Sequence, residues 1–85
     1  MPEISRFLGI VVAMFYSDHA PPHFHARYDE YEVTISIGDG SVDGRFPPRV
    51  LGYLLEWYAL HRDELAENWE RARVRQLLWP IAPLE

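Results

Sequence analysis

Three of the four histidines fall in one short run, "DHAPPHFH", from Asp18 to His25. Imidazole titrates near neutral pH and is the commonest protein ligand for transition metals. His23 and His25 are two residues apart, so on a strand both rings leave the same face and two nitrogens can meet one ion. His19, in the loop before them, can supply a third nitrogen, and Asp18 or Asp43 an oxygen. Zinc, nickel or iron accept such ligands. The candidate metal ligands are therefore His19, His23 and His25, and the candidate cofactor is a divalent transition metal such as zinc. The same imidazoles also suit metal-independent proton transfer. A small ribonuclease works with one or two of them and an arginine for the phosphate charge. On that reading His23 and His25 are the catalytic base and acid, with Arg27 or Arg45 on the phosphate. A plainer reading bonds His23 and His25 across the sheet to Ser36 and Thr34. It leaves His19 and Asp18 to bond loop backbone.

The elements that must hold these side chains are legible around them. Pro21 and Pro22 cannot donate ladder hydrogen bonds, and Pro21 keeps Ala20 out of the helical region, so Ser17 to Pro22 reads as a loop. From His23 the chain alternates. Phe24, Ala26 and Tyr28 point one way, and His23, His25 and Arg27 the other. A second run alternates from Tyr31 to Ile37. A two-residue turn at Asp29-Glu30 pairs Tyr28 with Tyr31, Ala26 with Val33 and Phe24 with Ile35. The other face then pairs Arg27 with Glu32, His25 with Thr34 and His23 with Ser36, and every pair matches in character. Asp39-Gly40 is a stronger turn signal. A two-residue turn there sets Ile37 opposite Val42, Ser36 opposite Asp43 and Thr34 opposite Arg45. Upstream, Phe7 to Tyr16 is apolar on both faces and reads as one buried or partner-covered strand, after an extended lead-in from Met1 to Arg6.

Pro47-Pro48 ends the sheet, and Pro48 can open a helix. Leu51, Leu54, Leu55, Tyr58, His61, Arg62 and Leu65 follow at helical spacing. A second helical stretch, about Asp63 to Arg75, turns Leu65, Trp69 and Ala72 inward and pairs Glu67 with Arg71. The absence of proline between Val50 and Arg75 leaves one bent helix or two equally open. Leu77 to Glu85 reads as extended. Strands followed by helices imply an α+β fold over a single domain, residues 1–85. It is an antiparallel meander of three to four strands, with one or two C-terminal helices packed on one sheet face.

Composition narrows the function classes. With no cysteine among 85 residues, disulfides, thiolate catalysis and Cys-type zinc sites are excluded. No apolar run is long enough to span a bilayer, so a cytoplasmic protein without membrane contact is expected. The net charge of −5 argues against a non-specific nucleic-acid binder. Three Trp, five Tyr and four Phe are many for this length and fit a core, a homodimer interface or both.

The element "DHAPPHFHA", Asp18 to Ala26, and the helical "EWYALHRDELAENW", Glu56 to Trp69, closely resemble the domain of unknown function family 4160, a family of small bacterial proteins. The likeness extends from Pro2 to the "IAPL" tail. It departs at Asp29-Glu30, where that family commonly has glycine. Members are often encoded beside a second small uncharacterised domain, in arrangements resembling toxin–antitoxin pairs. The resemblance implies a small protein partner and brings no established catalytic residues. Two functions are therefore expected in competition. The first is a protein-interaction module in a toxin–antitoxin-like pair. The alternative is a small ribonuclease or metal-dependent hydrolase built on His19, His23 and His25.

Overall fold

The computed structural model describes residues 2–85, and over them the chain runs through five strands and then two helices. The strands are β1 (Glu3–Phe7), β2 (Ile10–Ala13), β3 (His23–Tyr28), β4 (Tyr31–Ser36) and β5 (Val42–Arg45), and the helices are α1 (Pro48–Leu60) and α2 (Arg62–Arg73). The strands form one antiparallel meander in chain order. The α+β class is as expected, but the sheet has five strands where three to four were expected.

The extra strand comes from a turn inside the apolar run. Leu8 and Gly9 take φ 49° and 81°, the pair of positive values that a tight hairpin turn matching the strand twist requires. Phe7 to Tyr16 is therefore not one strand. Phe7 ends β1, Ile10 opens β2, and most of the expected lead-in is an edge strand. Met1 lies outside the described residues. At Gly9 a side chain would also meet the Tyr28 ring, 3.1 Å from an added Cβ.

The β3–β4 hairpin has the expected register at all six pairs, from His23 with Ser36 to Tyr28 with Tyr31. Asp29 takes the left-handed conformation at φ 55° that the glycine-free turn needs. The β4–β5 hairpin differs. Thr34 pairs with Asp43 and Glu32 with Arg45, two residues away from the expected register. The loop is wider because Ser36 N–H donates to Ser41 O and Gly40 N–H to Ser36 O, while Ser41 N–H donates to Asp39 Oδ1. A shift of two leaves each side chain on its expected face.

The apolar face of the sheet carries Ile10, Val12, Phe24, Ala26, Val33 and Ile35, all buried. The helices cover it. Phe24 meets Trp57 edge-on with ring centroids 5.8 Å apart and stacks on Tyr58 at 6.1 Å. Burying a side chain such as Phe24 stabilises the fold by about 1.5–3 kcal/mol. The Tyr58 hydroxyl satisfies itself by donating to Ile37 O at 2.7 Å. Trp57 lies at the centre of this core and is fully buried.

Two helices form, and the break is at His61. This residue sits between them at φ −122°, its N–H donating back to Trp57 O and its carbonyl accepting from Leu65 N–H. Asp63 and Glu64 in the first turn of α2, and Arg71 and Arg73 in its last, suit the helix dipole. The tail folds back instead of running free. Asn68, fully buried, accepts from Trp79 N–H at 2.8 Å and donates to Trp79 O at 2.9 Å. Trp57 Nε1–H donates to Ala82 O, and Ile81 N–H donates to Ile4 O on the β1 edge.

Candidate metal centre

The loop from β2 to β3 carries Asp18 back over the start of β3. Ser17 adopts φ 55° and donates its N–H to Ala72 O, which fastens the loop to the end of α2. One residue on, the Asp18 carboxylate reaches the two imidazoles of β3. Its Oδ2 stands 2.9 Å from His23 Nε2 and 3.3 Å from His25 Nε2. Its Oδ1 accepts the His19 backbone N–H at 2.9 Å. Partial burial pushes the Asp18 carboxyl up. The His19 N–H and the His25 and His23 rings outweigh it and hold the carboxyl below its ordinary value.

His23 is held on every side. It is buried, its ring lies 5.2 Å from the Trp69 ring, and its Nδ1 lies 2.7 Å from Pro21 O. A carbonyl oxygen only accepts, so Nδ1 carries the proton. Nε2 then faces a carboxylate oxygen. With Asp18 ionised, this geometry asks either for a second ring proton or for a cation in its place. A backbone carbonyl that fixes one nitrogen as N–H, leaving the other to bind, is the usual support of a metal-ligating histidine.

The spacing fits a metal. Two ligand atoms at about 2.0–2.1 Å from a tetrahedral zinc stand about 3.3 Å apart. The Asp18–His25 pair has that separation, and one ligand atom from each of Asp18, His23 and His25 lies within 4.8 Å of the others. Three protein ligands with an open outer side is the composition of a catalytic site, where water or substrate takes the remaining position.

Of the sequence candidates, His23 and His25 are brought together, and their Nε2 atoms meet Asp18 instead of Ser36 and Thr34. His19 is not in the cluster. Its ring is 89% exposed and its Nδ1 sits 3.1 Å from Asp18 Oδ1, the outward carboxylate oxygen. Asp18 is the hub, the oxygen that sequence reasoning offered together with Asp43. Thr34, Ser36, Ser41 and Asp43 line the shallow groove beside the cluster. Arg45 stands exposed on β5 opposite Glu32, one row along from that groove. Arg27 is 4.0 Å from Glu32, the expected cross-strand pair. His61 is a packed residue, with Nδ1 2.6 Å from Glu64 Oε1 and its ring 5.5 Å from Trp57. Sequence reasoning missed two neighbours of the site, Trp69 against His23 and Phe15 against His25. Both are aromatics at positions that pattern alone assigns to generic burial.

The fold and the site define a small α+β domain with an aspartate–dihistidine cluster at the mouth of its third strand. The chain belongs to the family described as Domain of unknown function (DUF4160), whose model matches residues 9–70 and so includes Asp18, His23 and His25. Neither the curated proteins nor the solved structures give a match. Among the described residues no helix is long and apolar enough to cross a membrane.

Proposed function

We propose that this chain is a small metal-dependent hydrolase, with Asp18, His23 and His25 holding one divalent transition metal such as zinc. The convergence of Asp18 Oδ2 with both Nε2 atoms beside an open groove carries this reading. A metal held by these three residues would lower the pKa of a bound water toward neutrality and polarise a substrate oxygen. The test is metal content. Protein purified without a histidine tag and without chelator should carry near-stoichiometric metal, and His23→Ala/His25→Ala should carry none. Equal metal in both would defeat the reading.

A second reading keeps the interaction module, a cytoplasmic domain that docks a small protein partner. It is supported by the exposed apolar side chains Leu77, at 83%, and Trp79, at 55%, together on the tail. Size-exclusion chromatography with the protein encoded beside it tests this. Co-elution that Trp79→Ser abolishes supports docking through the tail, and separate elution removes the reading.

A further inference from the structure

His25 has two different surroundings. On the β2 side, Val11, Ala13 and Phe15 form the apolar wall of a small slot whose far side is the exposed Arg27–Glu32 pair, and the Phe15 ring meets His25 edge-on at 4.5 Å. On the β4 side the groove is lined by the hydroxyls of Thr34, Ser36 and Ser41 and the carboxylate of Asp43. Resting on the metal-site reading, we propose that the substrate is an uncharged acyl compound, an ester or amide, whose apolar acyl group enters the Val11–Phe15 slot while its carbonyl meets the metal.

Two observations and one chemical requirement select this class over a phosphodiester. The slot measures about 210 Å³ and opens directly at His25. Sites for whole ligands run to about 300–1,000 Å³, so this one fits a single apolar substituent. Phosphoryl transfer spreads negative charge over equatorial oxygens and calls for cations around them. No lysine or arginine lines the β4-side groove and Asp43 adds negative charge there, while the one arginine at the slot, Arg27, is offset by Glu32 at 4.0 Å. A carbonyl needs only one electrophile and one activated water, which a single three-ligand metal supplies. In the step, the water oxygen bonds to the acyl carbon and the bond from that carbon to the alcohol or amine breaks. One water proton ends on the leaving group, and the products are a carboxylic acid and an alcohol or amine.

The test uses the zinc-loaded full chain and three probes that bind metal: acetohydroxamate, hexanohydroxamate and inorganic phosphate. Hexanohydroxamate should bind at least about tenfold more tightly than acetohydroxamate, because even one of its four extra methylenes seated against the apolar wall is worth about that much. Val11→Thr keeps the shape of the slot wall but adds a hydroxyl. It should reduce the preference several-fold with zinc content unchanged. Phe15→Ala should do the same by removing the end wall. In turnover, p-nitrophenyl hexanoate should be cleaved and bis(p-nitrophenyl) phosphate should not. Equal binding of the two hydroxamates by a zinc-loaded protein, or preferred cleavage of the phosphodiester, overturns the substrate class and leaves the metal site standing. Failure to load any of zinc, nickel, cobalt and manganese overturns both.

Discussion

Zinc should stabilise this protein strongly, and the gain should vanish with His23. The three ligand atoms come from β3 and from a loop residue seven positions before His25, and the fold holds them together in advance of binding. A ligand that binds the folded state alone at one hundred times its Kd stabilises by about 2.7 kcal/mol. A domain of 85 residues moves its Tm by about 4–8 °C per kcal/mol, so the expected rise is about 10–20 °C. His23→Ala also costs stability without metal. It removes the contacts to Pro21 O at 2.7 Å and Asp18 Oδ2 at 2.9 Å, a loss of about 1–3 kcal/mol. The decisive quantity is therefore the metal-dependent increment and not the absolute Tm. It should be full in wild type, nearly full in His19→Ala, and absent in His23→Ala. Scanning calorimetry with zinc, nickel, cobalt and manganese measures it. Trp69 fluorescence gives an independent readout, since its ring is 5.2 Å from His23 and a paramagnetic ion there should quench it. No increment in wild type with any of the four ions, or an increment retained in His23→Ala, refutes the reasoning.

Three further outcomes test the frame around the site. Gly44→Ala should destabilise by about 2 kcal/mol or more in urea unfolding, because Gly44 has φ 109° and an added Cβ would stand 2.5 Å from the Glu32 backbone oxygen. A loss under about 0.5 kcal/mol would mean that β5 is not paired in this register. Asn68→Ala should cost about 2–4 kcal/mol and expose the tail to proteolysis after Arg75, since it strips both hydrogen bonds from the Trp79 backbone. A tail that stays resistant contradicts the anchor. Asp39 is held below its ordinary pKa, mainly by the Ser41 N–H, so its contribution is present above about pH 4 and fades as pH falls through the lowered value. The Tm gap between wild type and Asp39→Ala should be constant above about pH 5 and close on further acidification; a gap that widens in acid has the wrong sign.

Much of the sheet was legible residue by residue. In the β3–β4 hairpin each facing pair matches in polarity, and a slip of one would put Phe24 and Ile35 in water, so the pattern admits one register. The β4–β5 hairpin was not legible in the same way. Registers two apart keep Val42 on the apolar face of the sheet and Asp43 on the polar face, and alternation cannot separate them. The choice rests on the Asp39–Ser41 turn and on the room that Gly44 leaves for Glu32 O. The β1–β2 turn was hidden because Leu8, an exposed apolar residue at positive φ, carries no turn signature beyond the glycine after it.

For the site, alternation along β3 is enough to put His23 and His25 on one face, because side chains two apart on a strand must share it. The sequence also determined that Pro21 and Pro22 hold the preceding segment off the ladder. Only the tertiary structure decided which neighbour completes the set. The loop is fastened through Ser17 to α2, and that path turns the Asp18 carboxylate inward and the His19 ring outward. Adjacent residues in a loop have no fixed period. Their directions follow from where the chain is anchored at either end, and here one anchor lies on a helix fifty-five residues further along the chain.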